Sequence, residues 1–347
     1  MEGVGRDFVD FRSDTVTRPT DEMRRAMFEA KVGDDVYGDD SLTVELELMA
    51  AAAVKKEAAL FVPSGTFGNQ LAIRTHTHPG DEVIADEDCH IVQHEVGACG
   101  ALSGVNLRCI KTEDGLFDVR DVESRIRTEN IHYPKTGLIC MENAHSNGKA
   151  FSLERMRQIY SMASKYSIPV HLDGARIFNA SAAIGVEAFE LAGCCDSVMF
   201  CLSKGLCAPI GSMLAGTSQY ISRARKNRKL MGGGMRQTGI LAAAGMIAIS
   251  RMRFRLAEDH ENAHYLSCRL AEIPGIAICK GVQNINMTFF DISGIGSGAS
   301  ILVSGLREQG ILCNPDENGM MRFVTHNYVT KRDIDHTIEC MKIILKL

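Results

Sequence analysis

The sequence predicts an α/β protein with a large domain, built on a buried and largely parallel sheet, followed by a smaller α+β domain. Three observations support this prediction. Short apolar runs such as 169–172 and 197–202 end in polar or glycine-containing segments, as buried parallel strands do. An amphipathic segment at 152–166 precedes the first of these runs, which is the pattern of a right-handed βαβ unit. The chain also has 347 residues, more than one typical domain.

The first half of the large domain is predicted to be an extended arm over 8–18, followed by alternating helices and strands. The residues Pro19-Thr20-Asp21-Glu22 predict the start of a helix, because acidic side chains in a first turn interact favourably with the helix dipole. The elements predicted next are a helix over 42–56, a strand at 60–62 leading into a helix at Gly65, a strand at 81–85 and a strand beginning at Leu138.

The second half of the large domain contains the two apolar runs and a further inner strand over 210–216. A long helix from about Met235 to about Ala271 is expected to lead into the small domain. The chain is accordingly divided into 1–248, the large domain with its N-terminal arm, and 249–347, the small domain. The small domain is predicted to contain strands at 277–280, 285–291 and 321–325 and helices at 299–310 and 330–346.

Composition excludes several classes of protein. A hydrophobic content of 45% with 23% charged residues is ordinary for a globular protein, and a net charge of −5 gives no broad footprint for nucleic acid, apart from a local basic run at 223–229. No apolar run reaches the ~20 residues that span a bilayer. The first seven residues lack the features of a signal peptide, and the twelve cysteines contain no C-x-x-C pair. We therefore expect a cytoplasmic protein with reduced thiols and no membrane or nucleic-acid partner.

Asp173 and Lys204 follow the two apolar runs, and therefore belong to the carboxyl ends of predicted strands, where open α/β sheets bind ligands. A lysine amine forms a Schiff base with an aldehyde, and an aspartate can keep a pyridine nitrogen protonated so that the ring accepts electrons. The simpler interpretation is that Asp173 caps a turn and Lys204 is an exposed strand end. These two residues by themselves leave both interpretations open.

Several other residues suit an active site. The helix start at Gly65 and Thr66 offers backbone N–H groups to an anion, although plain capping would explain it too. His90 and His145 each follow a strand, where a histidine is often only a loop or capping residue but could also move a proton. Arg322 lies among apolar neighbours, so it requires an anion or an internal salt bridge.

Three motifs carry a resemblance to a known family. They are 171–180 (HLDGARIFNA), 201–206 (CLSKGL) and 11–17 (FRSDTVT). Together they resemble the low-specificity L-threonine aldolases, and matches extend from about Asp10 to His326. The resemblance implies the aspartate-aminotransferase-like fold of pyridoxal-phosphate (PLP) fold type I enzymes, in which a three-layer large domain surrounds a mostly parallel mixed sheet. It also implies pyridoxal 5′-phosphate as cofactor.

The resemblance assigns roles residue by residue. Lys204 would hold the cofactor as a Schiff base, Asp173 would contact its ring nitrogen and His90 would stack on its ring. The cofactor contacts implied in full are Gly65, Thr66, His90, Asp173, Arg176, Ser203, Lys204, Lys229 and Arg236, of which Lys229 and Arg236 would reach the phosphate of a neighbouring subunit. The substrate contacts implied are Ser13, Arg176 and Arg322 at the α-carboxylate and His145 near the side chain. No metal ligands are predicted.

The activity implied is retro-aldol cleavage of L-threonine or L-allo-threonine to glycine and acetaldehyde. Lys204, His90 and His145 are the predicted catalytic residues, and the base for the β-hydroxyl proton could be His90, His145 or a water held between them. Alternatives are another reaction of the same cofactor on a small amino acid, namely β-elimination, racemisation or transamination, or a non-catalytic scaffold. We expect a homo-oligomer with shared active sites, a tetramer ahead of a dimer.

Overall fold

The computed structural model describes residues 8–279 and 285–347. The N-terminal residues 1–7 and the last residue of the strand predicted at 277–280 lie outside the described residues. The chain forms two compact units. The large unit spans Arg18–Arg253, and the small unit combines Phe254–Leu347 with the N-terminal segment up to Thr17.

A seven-stranded mixed sheet forms the centre of the large unit. Ser212–Gly216 runs antiparallel to both of its neighbours, and the other neighbouring pairs in the sheet are parallel. The predicted mostly parallel mixed sheet is therefore confirmed. In spatial order the strands are Ala58–Val62, Ser212–Gly216, Ser197–Cys201, Val170–Asp173, Thr136–Glu142, Glu82–Asp86 and Asn106–Ile110.

Helices cover both faces of this sheet. Every residue of the central strands Val170–Asp173, Ser197–Cys201 and Ser212–Gly216 is buried, which requires packing on the two faces because successive side chains point to opposite sides. Most of the long helices start at a Ser, Thr or Asp whose side chain accepts a first-turn N–H group. The helices are Asp21–Glu29, Ser41–Ala53, Gly65–His76, His90–Gln93, Val119–Glu123, Leu153–Lys165, Ile177–Ile184, Ala188–Ala192, Ser218–Leu230 and Gly239–Ser250.

The small unit is an α+β module, as predicted. Its antiparallel sheet has the order Met320–Val324, Met287–Asp291, Ala277–Ile278, and its helices are Leu256–Leu270, Ala299–Glu308 and Lys331–Leu345. Phe11, Phe290 and Phe323 form the aromatic centre of its core, with ring centroids 4.9 Å apart for Phe11 and Phe323 and 5.0 Å apart for Phe290 and Phe323.

The N-terminal arm belongs to the small unit, whereas the sequence assigned it to the large domain. Val9–Asp10 pairs in parallel with Ile311–Leu312, and the Phe11 carbonyl accepts a hydrogen bond from the Val324 N–H group at 3.0 Å. Burial of the Phe11 ring adds an apolar contribution on the order of 2 kcal/mol. The arm pairs with a strand about 300 residues further along the chain. Such a pairing leaves no pattern in the local sequence, so the arm could not be placed from its own residues.

The single long helix predicted over 235–271 is wrong. The chain forms two helices, Gly239–Ser250 and Leu256–Leu270, separated by a 3-10 turn at Met252–Arg255. The two units meet in the sequence within this turn, between Arg253 and Phe254, five residues beyond the predicted boundary at 248. The segment contains no proline or glycine, so the usual signals of a helix break are missing.

Candidate active site

The large unit brings Asp173 and Lys204 to the same edge of the sheet. Asp173 is the last residue of Val170–Asp173, and Lys204 follows the neighbouring parallel strand Ser197–Cys201 by three residues. Asp173 is 4% exposed and Lys204 is half-buried. The Gly174 N–H group donates to the Met199 carbonyl at 2.8 Å, which ties the turn after the aspartate to the lysine strand.

The Asp173 carboxylate is held from two sides. Its Oδ1 accepts a hydrogen bond from the Ala175 N–H group at 3.0 Å, and its Oδ2 accepts one from Asn69 Nδ2 at 2.7 Å. Asn69 is fully buried in the helix Gly65–His76. Hydrogen bonds to a carboxylate are among the stronger ones, so this buried group has a fixed orientation. The sequence analysis did not identify Asn69.

Glu95 is a second residue that the sequence analysis missed. Its buried carboxylate pairs with His90 Nδ1 at 2.8 Å and accepts hydrogen bonds from Asn69 Nδ2 at 2.9 Å and Gln70 Nε2 at 2.6 Å. The hydrogen bond to Glu95 raises the pKa of His90; the charge of Asp173 also raises it, whereas burial and the charge of Lys204 lower it. His90 therefore lies close enough to both Asp173 and Lys204 to sense their charges.

One ligand atom from each of His90, Glu95 and Asp173 lies within 4.8 Å of the others. Such a group could hold a cation. Each member already has a polar partner in the structure, because Asn69 donates to both carboxylates and His90 pairs with Glu95. We therefore treat the three residues as one hydrogen-bonded cluster at the sheet edge.

The helix Gly65–His76 begins beside the lysine strand, as its predicted role requires. A Cβ atom at Gly65 would lie 2.9 Å from Cys201 Sγ, and one at Gly68 would lie 2.6 Å from Met199 Cγ. Only glycine therefore allows the helix to pack this close to Ser197–Cys201. Ser64 caps the helix by accepting the Phe67 N–H group at 3.1 Å, which leaves other first-turn N–H groups available for an anion.

Two predicted cofactor contacts lie next to the strand ends. Arg176 is half-buried at the N-terminus of the helix Ile177–Ile184, three residues after Asp173. Ser203 is half-buried and adjoins Lys204. Both residues therefore lie next in sequence to the cluster, on segments fixed by the strands Val170–Asp173 and Ser197–Cys201.

His145 occupies a closed environment. Its ring is 1% exposed, and its Nε2 atom is 3.8 Å from Asp86 Oδ1 and has no hydrogen-bond partner among the described residues. Gly115 has a positive φ of 76° and packs on the ring so closely that a Cβ atom there would lie 2.7 Å from it. Asn147 donates its backbone N–H group to Nδ1 at 3.3 Å. The His145 ring is therefore enclosed on the side of Gly115.

The basic run 223–229 directs two of its arginines towards acidic residues of the same chain. Arg225 Nη2 lies 2.5 Å from Glu47 Oε2, and Arg228, which is 2% exposed, lies 2.6 Å from Asp35 Oδ2. Lys229 is exposed at the end of this helix. These ion pairs explain part of the basic composition as internal packing.

The glycine triplet 232–234 packs on the first turn of the helix Gly65–His76. A Cβ atom at Gly233 would overlap the ring of Phe67, so the segment approaches the candidate phosphate position within one chain. Arg236 is exposed and pairs with Asp34 at 3.0 Å. The implied reach of Lys229 and Arg236 to a neighbouring subunit stays a prediction.

The small unit brings together Ser13 and Arg322, the two predicted carboxylate contacts that it contains. Arg322 lies on Met320–Val324 between the buried residues Met321 and Phe323, and its Nη2 atom donates to the Arg12 carbonyl at 3.4 Å. Ser13 follows Arg12 in sequence, and Arg12 contacts Arg322 although some 300 positions separate these two arginines. The Ser13 hydroxyl also accepts the Thr15 N–H group at 3.2 Å.

A lysine and a buried carboxylate at the ends of neighbouring strands, with a histidine that senses both charges, are the groups that a pyridoxal-phosphate-dependent enzyme needs around its cofactor. A family model described as "Beta-eliminating lyase" matches residues 10–293. The chain belongs to the β-eliminating lyase family, and its cofactor is pyridoxal 5′-phosphate.

Individual relatives agree with this family assignment. The chain is 42% identical over 341 residues to "Low-specificity L-threonine aldolase 1" of Arabidopsis thaliana, covering 96% of this chain and 95% of that protein. It is 39% identical over 327 residues to "Low specificity L-threonine aldolase" of Escherichia coli K12, covering 94% and 96%. A solved threonine aldolase of Leishmania major has the same fold, with a TM-score of 0.83, 20% identity and coverage of 97% and 99%.

The residues present fit this cofactor. The buried, hydrogen-bonded Asp173 supplies the negative charge that a protonated pyridine nitrogen requires, and Lys204 supplies an amine for covalent attachment. The start of Gly65–His76 supplies N–H groups for a phosphate. These three features suit the ring nitrogen, the aldehyde and the phosphate of one molecule.

Proposed function

We propose that this chain cleaves L-threonine and L-allo-threonine to glycine and acetaldehyde by a PLP-dependent retro-aldol reaction. The observation that carries the proposal is the grouping of His90, Asp173 and Lys204 at one sheet edge. Ligand atoms of His90 and Asp173 lie within 4.8 Å of each other, and Lys204 follows the strand next to that of Asp173. When bound, PLP supplies an electron-accepting ring that stabilises the charge left on Cα as the Cα–Cβ bond breaks.

Lys204 attaches the cofactor through its amine, and Asp173 keeps a proton on the pyridine nitrogen. The backbone at Gly65 and Thr66 binds the phosphate, with Ser203 and Arg176 as further cofactor contacts. Arg176 stays a predicted contact of the α-carboxylate in the large unit. Arg322, which contacts the arm at Arg12, stays with Ser13 a predicted contact of this group in the small unit. A clamped carboxylate orients the bond that breaks, which is a large part of catalysis in enzymes of this kind.

His90 is the base that takes the proton from the β-hydroxyl oxygen. Glu95 accepts the hydrogen of Nδ1, so Nε2 is the nitrogen that can accept a proton. Its side chain is 31% exposed, whereas the ring of His145 is enclosed next to Gly115. This difference favours His90 over His145 as the base and leaves His145 with a role beside the substrate side chain.

The direct experiment supplies the PLP-loaded protein with L-threonine, L-allo-threonine, L-serine and L-alanine in separate reactions and identifies the products. We expect acetaldehyde and glycine in equal amounts from the two threonine epimers. Racemised alanine or pyruvate from serine, with no acetaldehyde from threonine, would instead indicate racemisation or β-elimination on the same cofactor. Absence of turnover with bound cofactor would indicate a scaffold.

Changing Glu95 to glutamine tests the base. The hydrogen bond and charge of Glu95 raise the pKa of His90, so the neutral, proton-accepting form is present above that pKa and is lost as the pH falls through it. The Glu95→Gln variant should have a lower His90 pKa, and the acid limb of its kcat/KM profile should move to lower pH. We also expect an about 10-fold lower plateau from poorer orientation of the ring. A profile with an unmoved acid limb would exclude His90 as the base.

We propose that the chain acts as a homo-oligomer with shared sites, a tetramer ahead of a dimer. Large apolar side chains are exposed on the large unit, including Phe28 (91%), Tyr37 (82%), Leu48 (67%) and Leu230 (66%). Such exposure is typical of surfaces that a second subunit covers. Lys229 and Arg236 lie near Leu230 in sequence and are exposed, and Arg236 would exchange its ion pair with Asp34 for a neighbour's phosphate. Light scattering of the purified protein measures the assembly.

We propose a cytoplasmic location. All twelve cysteines lie in the described part of the chain, and none of them forms a disulfide there. Burial raises the pKa of several of these thiols, and it raises the pKa of both Cys195 and Cys313 to about 12. These two thiols therefore stay protonated and unreactive. Within 8–279 and 285–347, no helix has the length and apolar character needed to cross a bilayer.

A further inference from the structure

Asn69 connects the two carboxylates of the candidate site to a buried polar chain behind it. Its Nδ2 atom donates to Asp173 Oδ2 at 2.7 Å and to Glu95 Oε1 at 2.9 Å, which uses both of its hydrogens. Its Oδ1 atom lies 3.2 Å from His171 Nε2. Asn69 and His171 are fully buried, so the hydrogen bonds between these side chains and their partners form without competition from solvent.

The partners of Asn69 and His171 indicate which of their atoms donate and which accept. Because both Asn69 hydrogens go to carboxylates, Oδ1 must accept, and His171 Nε2 must carry the hydrogen. Burial lowers the pKa of His171 to about 4, so the ring is neutral near pH 7 and has no second N–H group. His171 Nδ1 therefore accepts, and the Ser197 hydroxyl, 2.9 Å away, donates to it.

The chain ends at His76. Its Nε2 atom lies 2.7 Å from Ser197 Oγ, whose hydrogen is already given to His171, so His76 donates. Burial lowers the pKa of His76 to about 3, which keeps this ring neutral as well. The ring stacks on Tyr220 with centroids 4.4 Å apart. Every hydrogen bond from His76 through Ser197, His171 and Asn69 thus points towards the carboxylates.

We propose that Asn69 is a positioning residue, and that the chain of His171, Ser197 and His76 fixes its amide so that it holds Asp173 and Glu95 together. The inference rests on the proposed function, because Asp173 and Glu95 act there on the ring nitrogen and on His90. If the amide were reversed, its oxygen would face both carboxylates, whose acceptor atoms already lie close together. The chain prevents this reversal because His171 presents a donor to Oδ1.

The proposal differs from a purely structural role in what it predicts for the cofactor. A buried polar chain that only stabilises the fold would change the unfolding temperature when disrupted, and would leave bound PLP unchanged. A chain that sets the position of Asp173 would also change the affinity for PLP and the absorption spectrum of the bound cofactor. Neither His171, Ser197 nor His76 has a predicted contact with the cofactor.

The test compares His171→Leu with His171→Gln. Leucine removes both hydrogen bonds of the ring, whereas glutamine can donate to Asn69 and accept from Ser197. We expect His171→Leu to bind PLP about 10-fold more weakly with a shifted absorption maximum, and His171→Gln to restore affinity and spectrum to within about 3-fold of the original. Ser197→Ala serves if the leucine variant does not fold, with a smaller change in the same direction.

Thr75→Val is the matched control. Thr75 is buried on the same helix as Asn69, and its hydroxyl bonds to Leu71 and Asn227, away from the carboxylates. This variant should lose stability with unchanged PLP affinity and spectrum. Variants of His171 and Ser197 that bind PLP as the original protein does, with only a lower unfolding temperature, would overturn the proposal. Failure of the unaltered protein to bind PLP, or to cleave threonine, would instead overturn the proposed function.

Discussion

Replacing Lys204 with alanine should abolish covalent attachment of PLP and reduce threonine cleavage about 1,000-fold or more. Lys204 follows the strand Ser197–Cys201 at the same sheet edge as Asp173, and its amine is the group of the site that can condense with the aldehyde of the cofactor. Loss of a residue that forms a covalent bond in catalysis typically costs several orders of magnitude in rate. Borohydride reduction of the PLP-loaded protein, followed by peptide mass spectrometry, measures the attachment.

Lys165→Ala is the control for this experiment. Lys165 is exposed at the end of the helix Leu153–Lys165, and its removal should leave cofactor attachment and rate unchanged. The reduced adduct should map to the peptide that contains Lys204 in the original protein and in the control, and should be missing from Lys204→Ala. A reduced adduct on a different lysine, or an undiminished rate in Lys204→Ala, would contradict the assignment.

The positions of Asp173 and Lys204 could be predicted because the strands that carry them are fully buried. A strand that is covered on both faces has a continuous apolar sequence, and the polar residues that follow mark where the strand ends. The parallel strands and the α+β module follow from the same local pattern, whereas the mixed character of the sheet was implied by the family resemblance. By contrast, the edge strand Asn106–Ile110 is partly exposed, and its sequence NLRCI gives little apolar signal.

Asn69 and Glu95 were missed because their importance arises only from contacts between distant parts of the chain. Asn69 lies in the middle of a helix and meets a carboxylate that follows it by 104 residues. Glu95 lies in a short irregular segment between the helix His90–Gln93 and Cys99. A buried amide and a buried acid have no periodic pattern of their own, so only the folded sheet identifies them. The proximity of Ser13 to Arg322 was also invisible before the arm was placed in the small unit.

Changing Asp173 to asparagine should lower kcat about 100-fold or more and weaken PLP binding about 10-fold. Asparagine has no negative charge to stabilise a protonated ring nitrogen, so the ring accepts electrons less well in the transition state. The substitution also disturbs the site locally. If its oxygen keeps the bond from the Ala175 N–H group, its new NH2 group faces Asn69 Nδ2, and a 2.7 Å hydrogen bond becomes a contact between two donors.

The same substitution at Asp196 provides the comparison. Asp196 Oδ2 accepts the Val170 N–H group at 2.7 Å, so this carboxylate holds the opposite end of the strand that Asp173 terminates. Asp196→Asn should keep cofactor affinity and kcat within about 3-fold of the original, with a stability loss of about 1 kcal/mol. Titration with PLP by absorbance and steady-state kinetics with L-threonine measure both variants. Equal, small effects at the two positions would show that the charge at Asp173 does not act on the cofactor, because the chemistry of the substitution is the same while only one carboxylate lies at the lysine edge.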